Sequence, residues 1–108
     1  MVAQITPHEL AAKFAGGEPV YLLDVRQPEE HAFAALPNSV LIPLGEVPAR
    51  AAEVEAPPGA LVVVYCHHGV RSLTGAALLE RAGVAPVASL AGGIDAWSRL
   101  IDPAVPRY

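Results

Sequence analysis

The chain has 108 residues, 53% of them apolar, with a mean hydropathy of +0.38, a formal net charge of −4 and a pI near 5.4. That size and apolar content predict one folded domain over 1–108 and exclude both a disordered chain and two ordinary domains. The acidic balance argues against general binding to nucleic acid or an anionic membrane surface, and no apolar run nears the roughly 18 residues of a membrane span.

Thr6-Pro7-His8-Glu9 carries the capping-box pattern with proline at the first helical position, predicting a helix over about 7–15 that Gly16-Gly17 stops. Val20 to Asp24 reads as a strand, and Pro28 opens a short helix over Glu29 to Ala34. Val40-Leu41-Ile42 is a third strand closed by Pro43, and a helix is expected over about 45–54. Pro57-Pro58-Gly59 then turns the chain into Leu61-Val62-Val63-Val64-Tyr65, a short β-branched run that reads as a fully buried strand. From Ser72 to Ala82, Leu73, Ala76, Ala77, Leu78 and Leu79 fall at helical spacing, with Gly83 beyond the end. Val87 to Leu90 forms a further strand, Gly92-Gly93 a turn and Ile94 to Leu100 a last helix; the tail from Ile101 to Tyr108 is irregular. Strands alternating with helices predict an α/β domain, a mostly parallel sheet with helices on both faces.

Between the 61–65 strand and the 72–82 helix lies Cys66-His67-His68-Gly69-Val70-Arg71-Ser72. The only cysteine thus sits at the C-terminal end of a strand and just before a helix, where open α/β sheets bind ligands and a helix N-terminus favours an anion. The thiolate is the reactive form of cysteine, so Cys66 reads as a nucleophile rather than a buried structural thiol. A cation at a helix start opposes the helix dipole, which points Arg71 to a task in the loop; its planar fork suits an oxyanion. Gly69 lets the backbone bend and approach a ligand, and Ser72 is expected chiefly to cap the helix. His67 and His68 are expected on the loop rim, partly protonated and attractive to anions. Neighbours in a tight loop do not converge on one ion, so no metal is expected. Asp24 and Arg26 end the second strand at the same sheet edge; they either shape a pocket wall or, the preferred reading, form an ion pair there. His8 and His31 are expected at the surface, and Trp97 in core or tail packing.

Four segments together resemble the rhodanese family of sulfurtransferases over nearly the whole chain. They are Leu22 to Glu30, Pro37 with Ile42-Pro43-Leu44, Val64 to Ser72, and Leu90 to Trp97. The resemblance implies a three-layer fold with about five strands and no cofactor. It also implies a persulfide on Cys66, in a loop whose N–H groups point inward. One stretch departs from the family pattern: Ala34-Ala35-Leu36-Pro37-Asn38-Ser39 stands where Gly-His-Ile-Pro-Gly-Ala is usual.

The expected chemistry is transfer of sulfur from a small donor, thiosulfate or a persulfide, to a thiol or a sulfur-carrier protein. A lone cysteine and no basic-then-apolar N-terminal stretch fit a cytoplasmic protein, and a monomer is expected. Two other functions compete. Cysteine phosphatases and arsenate reductases use C-x-x-x-x-x-R, one residue longer than the spacing from Cys66 to Arg71. Binding or regulatory modules of this resemblance commonly lack the cysteine.

Overall fold

The computed structural model describes residues 1–108. In chain order the elements are β1 (Ala3–Ile5), α1 (Pro7–Ala15), β2 (Val20–Asp24), α2 (Pro28–Phe33), β3 (Val40–Leu41), α3 (Val47–Arg50), β4 (Leu61–Tyr65), α4 (Arg71–Arg81), β5 (Val87–Leu90) and α5 (Gly93–Leu100). The five strands form one sheet in the order β1-β5-β4-β2-β3, and every pairing is parallel. No helix is long and apolar enough to cross a membrane.

Alternation along the strands divides the interior in two. Leu22, Val63, Tyr65, Ala88 and Leu90 meet Leu10 of α1 and Ile94 and Trp97 of α5 on one face. Leu23, Val62, Val64 and Val87 meet Ala76 and Leu79 of α4 and Val47 of α3 on the other. Cys66 continues the Val62-Val64 register and so emerges on the α4 face. Asp24 and Arg26 follow Leu22 to the opposite face.

Thr6 caps α1 with the reciprocal bonds of a capping box, Glu9 N–H to Thr6 Oγ1 at 3.1 Å and Thr6 N–H to Glu9 Oε1 at 2.9 Å. Three elements differ from expectation. Strand β1 was not foreseen: its three residues pair at the sheet edge with Ala88, Ser89 and Leu90. The helix expected over 45–54 is broken into a 3₁₀ turn at Leu44–Glu46, the single turn α3 and a second 3₁₀ turn at Ala51–Glu53. Pro48 lies in its first turn and supplies no N–H. Strand β3 stops at Leu41, although Ile42 N–H still bonds Asp24 O at 2.9 Å.

The departing stretch after α2 folds into a held turn. Asn38 adopts φ of +62°, which asparagine tolerates better than most side chains. The Tyr65 hydroxyl accepts from Leu36 N–H at 3.1 Å and bonds the Ser39 hydroxyl at 2.8 Å.

Candidate active site

Donors converge on the sulfur of Cys66. Gly69 N–H points at Sγ from 3.1 Å and Ser72 N–H from 3.4 Å, while the Ser72 hydroxyl lies 3.5 Å away. The Ser72 hydroxyl also bonds that of Ser89, on β5, at 2.7 Å. All three side chains are buried, Cys66 at 1% exposure. Ser72 is therefore not the expected helix cap: α4 begins one residue earlier, at Arg71, and Ser72 turns inward. The two hydroxyls form a chain that can run either way. It accepts from a Cys66 thiol or donates to a thiolate, each link polarising the next.

The loop is held by its carbonyls. Ile94 N–H bonds Cys66 O at 2.9 Å and Asp95 N–H bonds His67 O at 3.1 Å, so the start of α5 takes up the outward-facing oxygens. Gly93 permits this approach, with φ of +62°; a Cβ there would overlap the carbonyl oxygens of both Cys66 and His67. Gly69 has φ of +92°, and a Cβ on it would stand 2.9 Å from Gly92 N. The main-chain N–H groups of His67, His68, Val70 and Arg71 remain outside the protein's hydrogen-bond network.

The rim is a connected set of charges and rings. Arg71 Nη1 and Nη2 grip Glu30 Oε1 and Oε2 at 2.7 and 3.0 Å. That two-point bond, helped by Gln27 N–H and the Tyr108 hydroxyl, holds the Glu30 carboxyl down at about 2, against the desolvation that opposes it. The Tyr108 hydroxyl donates to Glu30 Oε2 at 2.8 Å and accepts from Arg26 Nη1 at 2.7 Å. Burial is the main reason its own ionisation is raised to about 12, so it remains a donor. Its ring stacks on His67 at 3.8 Å and meets Phe33 edge-on.

Burial pushes the His67 imidazole below its ordinary value, and the neighbouring His68 pushes the same way. That direction runs against the partial protonation expected of His67; its ring stacks on Tyr108 and meets His68 at a 30° tilt. His68 and Val70 are exposed. Asp24 and Arg26 form the corner ion pair, fully buried, with Arg26 Nε on Oδ1 at 2.9 Å and Nη2 on Oδ2 at 2.7 Å. Arg26 reaches the loop only through Tyr108. His31 is not a free surface residue, since its Nδ1 lies 2.8 Å from Asp24 Oδ2. Glu30, Ser89 and Tyr108 were not singled out from the sequence.

His67, His68 and Asp95 place one potential metal-binding atom each within 4.8 Å of the others. Both carboxylate oxygens of Asp95 are already bonded, to Arg99 Nε and Arg107 Nε at 3.0 Å each. Two guanidinium cations at that carboxylate disfavour a third positive charge, and His67 Nε2 is buried without a partner.

The parallel sheet, with a cysteine at the end of its central strand and two main-chain N–H groups aimed at the sulfur, defines an α/β domain with a cysteine loop. A family model described as Rhodanese-like domain matches residues 6–100, and the chain belongs to that family. A sulfurtransferase of Allochromatium vinosum is 37% identical over 99 residues, 92% of this chain and 91% of that protein. A crystal structure of a rhodanese-like domain protein from Staphylococcus aureus superposes with a TM-score of 0.82 at 30% identity, covering 99% of each chain. The probable adenylyltransferase/sulfurtransferase MoeZ of Mycobacterium tuberculosis is 33% identical over 104 residues. Those residues are 96% of this chain and 26% of that protein, so the chain spans about a quarter of it.

Proposed function

We propose that the chain is a sulfurtransferase that carries sulfur as a persulfide on Cys66. The observation that supports it most is the convergence of Gly69 N–H, Ser72 N–H and the Ser72 hydroxyl on Sγ. Donors fixed before reaction stabilise negative sulfur without rearranging. The Cys66 thiolate attacks the outer sulfur of thiosulfate and forms a new S–S bond. The bond to the inner sulfur breaks, and sulfite leaves with the electron pair. A monoanion and a dianion enter, and a persulfide monoanion and sulfite dianion result. A second nucleophile, cyanide in an assay or a thiol or sulfur-carrier protein in the cell, attacks the terminal sulfur and regenerates the thiolate. The four uncommitted N–H groups of the loop are the donors available to that terminal sulfur.

Cys66 is buried, so this reading requires the rim to open for each substrate. The short spacing from Cys66 to Arg71 and the engagement of Arg71 by Glu30 favour sulfur transfer over phosphate chemistry. A cysteine whose sulfur meets two main-chain N–H donors and a hydroxyl favours an enzyme over a binding module. Steady-state kinetics with thiosulfate and cyanide test the proposal. Parallel double-reciprocal lines that vanish in Cys66→Ser are expected, and turnover retained by Cys66→Ser would overturn it.

A further inference from the structure

Arg71 does not stand free above the loop. Glu30 meets it with both carboxylate oxygens, and Glu30 is itself held from two more sides. Gln27 N–H bonds Oε1 at 3.0 Å, and the Tyr108 hydroxyl bonds Oε2. Tyr108 is anchored by Arg26, and Arg26 by the buried Asp24. Of the other rim groups, Asp95 is held by two exposed arginines, Arg99 and Arg107, and the half-buried His67 lies against the rings of Tyr108 and His68. The arginine of the loop itself is therefore committed to a carboxylate, and a doubly charged oxyanion approaching Cys66 meets no free guanidinium there.

We infer that Glu30 is a specificity-determining positioning residue, which by holding Arg71 disfavours dianionic sulfur donors such as thiosulfate relative to uncharged alkyl hydropersulfides. The inference rests on the sulfur-transfer reading and names its preferred donor class. Thiosulfate must either displace Glu30 from two charge-assisted bonds or approach with that carboxylate beside it. An alkyl hydropersulfide reacting in its protonated form, the form whose outer sulfur is electrophilic, brings no charge past Glu30. The Cys66 thiolate attacks its outer sulfur, the S–S bond to the alkylthio sulfur breaks, and an alkylthiolate leaves with the electron pair. The proton stays on the transferred sulfur.

The test is the second-order rate constant for loading Cys66, read by quenched intact mass, with thiosulfate and with propyl hydropersulfide. The measured quantity is the ratio of the two constants, which a merely structural role would leave unmoved. Glu30→Gln keeps an acceptor for Gln27 N–H while removing the charge, and it should raise the thiosulfate-to-persulfide ratio by at least about fivefold. In the Arg71→Ala background the same change should move the ratio by less than about twofold, because the effect acts through Arg71. An unchanged ratio in Glu30→Gln, or an equal rise without Arg71, would overturn the inference. If Glu30→Gln does not fold, Tyr108→Phe loosens Glu30 by one hydroxyl; a rise of about twofold supports the inference and a constant ratio overturns it. Wild-type protein that takes up sulfur from neither donor would overturn the sulfur-transfer reading itself. Uptake from both with a fixed ratio overturns only the role of Glu30.

Discussion

The hydroxyls of Ser72 and Ser89 lie 2.7 Å apart, and the first of them stands 3.5 Å from the Cys66 sulfur. Two residues 17 positions apart are joined here because β5 runs beside β4 and its Ser89 shares the α4 face with Cys66. The sulfur thus answers to a buried polar chain as well as to backbone donors. Removing the first hydroxyl should slow transfer more than removing the second. Ser72→Ala, which keeps its N–H, should lower kcat/KM roughly tenfold to a hundredfold, and Ser89→Ala about threefold. Equal losses, or none in Ser72→Ala, would show that the backbone alone stabilises the sulfur.

Gly93→Ala should damage both stability and activity. Its φ of +62° and the overlap of any Cβ with two loop carbonyls add strain of about 3 kcal/mol or more. For a domain of this size that lowers Tm by roughly 10 °C or more in a calorimetric scan. A variant melting with wild type would mean that α5 does not hold the loop as described.

Asp24→Asn should leave the Arg26 guanidinium buried with half its partnership lost. The cost expected for breaking one side of a buried ion pair is about 3–5 kcal/mol, measured by urea unfolding. A loss of sulfur transfer with unfolding unchanged would instead make Asp24 a pocket residue.

Stability should also fall in acid through Glu30. Its folded value is about 2, below its ordinary 4.5, so the unfolded chain takes up the proton first. The stabilisation is complete above pH 4.5 and is lost progressively as pH falls towards about 2. Arg71 stays charged throughout, so Glu30→Gln should flatten the unfolding free energy over that window. Equal slopes in the two proteins would contradict a strong pair in solution.

Much of the fold and the centre of the site were legible because they depend on local pattern. The β-branched run at Leu61–Tyr65 and the helical spacing after Ser72 placed Cys66 at a strand end beneath a helix, where the structure has it. Strand β1 was not legible: three residues with a polar centre carry no period, and only pairing with the distant β5 makes them a strand. Ser89 reads as an ordinary small strand residue until β5 is set beside β4. Glu30 looks like the acid of a helix start, a role it does fill, and nothing local announces Arg71 across 41 positions or Tyr108 across 78. His31 likewise gains its carboxylate only when α2 folds back on the end of β2. The stacking of His67 arises the same way, from a ring that arrives through the tail.

Sulfur on Cys66 is the most direct test of the proposed chemistry. Reduced protein incubated with thiosulfate or propyl hydropersulfide, freed of excess reagent and weighed intact, should gain the mass of one sulfur atom. Cyanide should remove it, and Cys66→Ser should never acquire it. Protein that stays at its reduced mass with both donors, or a Cys66→Ser variant that gains the same mass, would contradict a persulfide carried on Cys66.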